Sequence, residues 1–89
     1  MIQTSKESII ENISYTELVY ERINKKLNIK FSKKRIEEFI FKLLKETEEK
    51  YIFKKGKNFY ITNLVNKIKI TINSNTFRVI TVDRIKDEK

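Results

Sequence analysis

The sequence predicts an α+β fold, with two amphipathic helices packed on one face of a four-stranded antiparallel sheet. Two observations carry that prediction. Apolar residues recur at helical spacing as far as Lys50, and from Tyr51 onward the period changes to two. Within the second half, Lys55-Gly56-Lys57 and Asn73-Ser74-Asn75-Thr76 supply turn chemistry between alternating runs.

Thr4 and Glu7 have capping-box spacing ahead of Ile9, Ile10 and Ile13, which indicates a short extra N-terminal helix. Ser14 and Glu17 repeat the spacing, with Ile13 and Leu18 in the staple positions. Tyr15, Leu18, Val19, Ile23 and Leu27 then mark a helix over about 15–27, and Asn28 is placed to stop it. Ser32 is the expected cap of the next helix, flanked by Phe31 and Ile36. Ile36, Phe39, Ile40, Leu43, Leu44 and Thr47 form a continuous stripe that carries this helix to about Lys50.

Tyr51–Lys54 and Asn58–Thr62 read as a hairpin around a three-residue loop, with Gly56 free to take a positive φ. That loop places Tyr51, Phe53, Phe59 and Ile61 on the core face, and Ile52, Lys54, Asn58 and Tyr60 on the other. A second hairpin with Ser74-Asn75 at its tip pairs Ile72 with Phe77 and Ile70 with Val79. It sends Lys67, Lys69, Thr71, Arg78, Ile80, Val82 and Arg84 outward. The expected organisation is a single domain over 1–89, helical over about 5–50 and sheet over about 51–85.

Composition removes several classes of chemistry. The chain has 89 residues, no Cys and no His, which excludes disulfides, thiolate metal sites and nucleophile pairs that need imidazole. No cofactor and no metal is expected, and the chain reads as a non-enzyme. No apolar stretch approaches the length of a membrane span or a signal peptide, so the expectation is a cytoplasmic protein without a membrane partner. The richness in Lys, Ile and Asn matches the usage of AT-rich bacterial or phage genomes.

A formal charge of +8 favours acidic partners, and its distribution is uneven. Residues 1–50 hold eleven bases and nine acids, whereas 51–89 hold nine bases and three acids, with no carboxylate from Tyr51 to Val82. Charged residues on an open sheet face often do no more than solvate it, but an acid-free run of this length favours binding. The candidate binding residues are Lys54, Asn58, Tyr60, Lys67, Lys69, Arg78 and Arg84 on the outward face, with Lys57 in the adjoining loop. Lys and Arg attract phosphates and an exposed Tyr stacks on an unpaired base, so RNA or a single strand is the favoured nucleic acid. Lys25, Lys26, Lys30, Lys33, Lys34 and Arg35 form a second basic cluster between the helices, where Lys33, Lys34 and Arg35 oppose the dipole of the helix they open.

Other readings are compatible with parts of this pattern. Two helices followed by a hairpin resemble a winged helix-turn-helix, although Glu37, Glu38, Glu46, Glu48 and Glu49 on the second helix would repel phosphate. The order of elements also resembles RelE/ParE-type ribonuclease toxins, in which case Lys57, Tyr60, Arg78 and Arg84 are the residues to test. The main alternative is a protein–protein inhibitor or adaptor, such as an anti-CRISPR-like phage blocker of a host defence nuclease, docking on an acidic or RNA-guided protein complex. An exposed edge strand also leaves a homodimer open.

Leu18-Val19-Tyr20-Glu21-Arg22-Ile23, Gly56-Lys57-Asn58-Phe59-Tyr60 and Ile70-Thr71-Ile72-Asn73-Ser74-Asn75-Thr76-Phe77-Arg78-Val79-Ile80-Thr81 resemble segments of a family of small uncharacterised bacterial proteins. The resemblance covers roughly residues 15–84. It implies a compact domain and carries over no functional residue.

Overall fold

In the computed structural model, which describes residues 5–85, Ser32 opens the longest helix, α3 (Lys33–Glu46). Its hydroxyl accepts the Arg35 amide at 3.2 Å, satisfying one of the donors that a helix start leaves open. Ile36, Ile40, Leu43 and Leu44 form the buried stripe, with Phe39 half-buried beside them. The helix stops short of Lys50 because Thr47 leaves the helical conformation and returns its hydroxyl to the Leu43 carbonyl at 2.7 Å. A 3₁₀ turn, Glu49–Tyr51, then leads into the sheet.

The preceding helices are α1 (Ser5–Asn12), which buries Ile9, and α2 (Glu17–Leu27), which buries Val19, Ile23 and Leu27. The extra N-terminal helix is therefore present, while its expected cap, Thr4, lies outside the described residues. Asn28 ends α2 as its position suggests, with a left-handed backbone (φ 56°) and the Ile29 amide bonded to the Asn24 carbonyl at 2.9 Å. The start of α2 differs from expectation. Ser14 does not cap it, because its backbone is engaged elsewhere: its amide donates to the Phe77 carbonyl at 2.9 Å and its carbonyl accepts the Val79 amide at 3.0 Å. This short parallel bridge to Arg78 fixes Ser14 on the sheet, and Thr16 occupies the cap position without a side-chain bond.

The strands β1 (Ile52–Lys55), β2 (Asn58–Asn63), β3 (Ile68–Asn73) and β4 (Val79–Arg84) pair in sequence order, each antiparallel to its neighbour. The fold is α+β, as predicted. Helices cover one face of the sheet, and Ile61, Ile68, Ile70, Ile72, Val79 and Val82 meet the helical stripe in a shared core.

Two registers depart from the sequence reading. Lys55 pairs with Asn58, so the first hairpin loop contains two residues and not three, with Gly56 at φ 61°. A change of one residue in the loop flips every side chain of the strand it feeds. Ile52, aligned with Ile61, therefore enters the core, Lys54 points to the helical side at the sheet margin, and Phe53 and Lys55 point outward. In the second hairpin a bulge falls between Thr71 and Ile72: Thr71 pairs with Thr81 and Ile72 with Val79, leaving Ile80 as the extra residue. Beyond it the faces exchange. Ile70 pairs with Val82, which is buried, and Arg84 aligns with Ile68 on the helical side.

Candidate functional site

The outer sheet face follows from these registers. Phe53 and Lys55 of β1, Asn58, Tyr60 and Thr62 of β2, and Lys69 and Thr71 of β3 point away from the helices, and Thr81 and Asp83 of β4 continue the face. Phe53 and Tyr60 are register partners. Directly opposed residues of this kind hold their Cβ atoms about 4.5–5.5 Å apart. Phe53 is 60% exposed and Tyr60 half-buried. The Asn58 amide nitrogen lies 3.4 Å from the Tyr60 hydroxyl. Two aromatic side chains thus stand side by side on a surface that carries Lys55 and Lys69.

Asp83 is the one carboxylate between residues 52 and 84. It aligns with Lys69 across the ladder but bonds Lys26 of α2 at 3.1 Å. The outer face therefore keeps the positive charge that the acid-free run gives it. Thr71 is almost fully buried at the centre of this face, and the Thr81 hydroxyl beside it has no hydrogen-bond partner among the described residues.

The candidate residues separate into three groups. Asn58, Tyr60 and Lys69 share the outer face as expected. Lys57 and Lys67 lie in turns: the Lys57 carbonyl accepts the Ser74 amide at 2.8 Å and hydroxyl at 2.9 Å, binding the first hairpin tip to the second, and the Lys67 carbonyl accepts the Ile85 amide at 2.8 Å. Lys54 and Arg84 are on the other face. Arg84 donates to the Leu27 carbonyl at 2.6 Å, closing the C-terminal end of α2, where a cation also complements the helix dipole. Arg78 stands at the sheet corner beside the Ser14 bridge, lining a groove with Arg22 and Ile80. Lys57, Tyr60, Arg78 and Arg84 therefore do not form one constellation.

The second basic cluster is partly neutralised. Lys26 pairs with Asp83, Lys33 pairs with Glu17 and lies 5.5 Å from the centre of the Tyr20 ring, and Arg35 stacks 4.5 Å over Phe31. Tyr20 donates to Glu37 at 2.6 Å. Its burial, followed by the bond to that carboxylate, pushes its hydroxyl up to about 12. Tyr15, stacked on Tyr20, is raised further, chiefly by burial and then by Glu37.

Sequence reasoning missed Phe53, because a longer loop assigns it to the core. The same four-residue run also holds Ile52, and apolar character alone does not choose between them.

A family model described as "Protein of unknown function (DUF3781)" matches residues 7–83, from α1 into β4. The chain belongs to this DUF3781 family. The matched span takes in every outer-face residue from Phe53 to Asp83, so the arrangement described above is carried within the DUF3781 region. No curated protein and no solved structure matches the chain. Among the described residues, no helix is long and apolar enough to cross a membrane, and no cluster of acidic side chains is arranged to hold a metal ion.

Proposed function

We propose that this protein binds single-stranded nucleic acid, with RNA favoured, through the outer face of its sheet and without catalysis. The observation that carries the reading is the exposed Phe53 beside the half-buried Tyr60, set among lysines. Base–aromatic stacking contributes about 1–3 kcal/mol per base and tolerates any sequence, because every base has a π face. Lys55 and Lys69 on the same face, with Lys57 at the hairpin tip, supply the electrostatic part by displacing counterions from the strand. Asp83, the residue best placed to oppose this, is neutralised by Lys26. A duplex hides its base faces, so stacking favours unpaired strands.

The test is fluorescence anisotropy of labelled oligouridine and of duplex RNA at low and high salt. Single-strand affinity is expected to exceed duplex affinity and to fall with salt. Phe53→Ala should weaken single-strand binding about tenfold, in line with the loss of one stacked base, and leave the unfolding midpoint close to wild type. The double variant Lys55→Glu with Lys69→Glu should reduce both the affinity and its salt slope. Unchanged binding in both variants rejects the face. Absence of binding to any strand would turn the search to protein partners for the same surface.

A further inference from the structure

We propose that the groove between α2 and the start of β4 is a binding site for a phosphate monoester, the group carried by a phosphorylated strand end or a mononucleotide. The groove holds about 350 Å³, within the range of small-ligand sites, roughly 300–1,000 Å³. Thr16, Leu18 and Arg22 form one wall, and Thr76, Arg78 and Ile80 the other. No carboxylate lines it.

Neither arginine is paired with a carboxylate among the described residues. The Arg78 guanidinium has no ion pair and no hydrogen-bond acceptor among the described residues. Arg22 reaches only the Ile80 carbonyl, at 3.3 Å, a neutral group that the bulge leaves projecting. Two guanidinium forks suit a phosphate monoester, whose charge near neutrality is about −1.5 to −2, better than a diester with a single charge. The Thr16 hydroxyl, which does not cap α2, and the Thr76 hydroxyl offer further hydrogen bonds. Leu18, 73% exposed, and Ile80 give an apolar rim for a sugar or base.

The backbone that shapes the groove is constrained. Phe77, immediately before Arg78, has φ 58°, a conformation that costs a non-glycine residue free energy. Its ring packs 6.1 Å from Phe59, which anchors the loop and fixes where Arg78 begins.

The site is separate from the Phe53–Tyr60 pair, and it is tested without a strand. Uridine monophosphate and uridine are titrated into isotope-labelled protein while amide resonances are followed. The monophosphate is expected to shift residues around Thr16, Arg22, Thr76 and Arg78, and uridine is not. Arg78→Gln should weaken the monophosphate response about tenfold, the scale of one hydrogen bond between charged partners, and Arg78→Lys should recover only part of it, because a point charge lacks the fork. Oligouridine with a terminal phosphate is then compared with the same strand ending in a hydroxyl. An advantage for the phosphate that disappears in Arg78→Gln supports the site and identifies strand ends as its source. Monophosphate binding with no such advantage supports the site and identifies free nucleotides. Equal responses to monophosphate and uridine, or a monophosphate response unchanged in a folded Arg78→Gln protein, overturn it. If Phe53→Ala leaves strand binding intact while the monophosphate still binds through Arg78, the aromatic reading fails and the groove stands.

Discussion

The side chain of Asn24 pairs with both backbone groups of Phe31, donating to its carbonyl at 3.0 Å and accepting its amide at 3.0 Å. One residue of α2 thus reproduces a rung of a sheet ladder and fixes the connection to α3. The contact is partly buried, so its donors and acceptors are not freely exchanged with water. Asn24→Asp keeps the acceptor and sets an oxygen against the carbonyl. It should destabilise the fold by about 1–3 kcal/mol, read as a lower urea midpoint with an unchanged slope.

A second polar link lies deeper. Asn63 in β2 and Thr47 at the end of α3 are both almost fully buried, and the Asn63 amide donates to the Thr47 hydroxyl at 3.0 Å. The Asn63 carbonyl oxygen accepts the Asn66 backbone amide at 2.9 Å, so one side chain holds both the helix end and the following turn. Asn63→Ala should cost about 1–3 kcal/mol by leaving these groups unpaired. A double-mutant cycle with Thr47→Val should show coupling on the order of 1 kcal/mol. Strict additivity would mean the two residues act independently.

Thr81 behaves in the opposite sense. Its hydroxyl is buried without a partner among the described residues, so it incurs a desolvation cost with no compensating bond. Thr81→Val keeps the branched shape and is expected to raise stability by about 1 kcal/mol, measured by urea unfolding. A loss of stability would show that the hydroxyl is satisfied in solution.

Tyr20 gives a pH dependence. Its hydroxyl is raised from 10.0 to about 12 in the folded chain, by burial first and the bond to Glu37 second. A group whose folded value lies above its unfolded value stabilises the fold fully below the unfolded value and loses that contribution as pH rises through the folded one. The stabilising share of Tyr20 is therefore intact below pH 10 and declines between pH 10 and about 12. Tyr20→Phe should flatten the alkaline fall in thermal midpoint over that interval. An equally steep fall would assign it to other groups.

What the sequence made legible was local. Ser32 and Asn28 mark helix ends through bonds within a turn of their own position, and the stripe of α3 needs only a period. Local rules failed where a distant partner competed. Ser14 has a good capping pattern, yet its backbone is taken by Phe77 and Val79, more than sixty positions away. Phe53 and Lys54 changed faces because the loop around Gly56 is one residue shorter than its composition required. Val82 and Arg84 changed faces because an alternating strand gives no sign of where an extra residue such as Ile80 will be expelled. Asn58, Tyr60 and Lys69 were legible as one surface because β2 and the outward positions of β3 alternate without interruption.

The two margins of the sheet differ in what they leave available. Ser14 occupies the backbone at the start of β4, and Arg22 takes the Ile80 carbonyl beyond it, whereas β1 has a neighbour on one side only. An open strand edge is a template for another strand, and β1 presents one over its described length. Joining two copies along β1 uses the same edge of each, so such a contact is isologous and is closed by a two-fold axis.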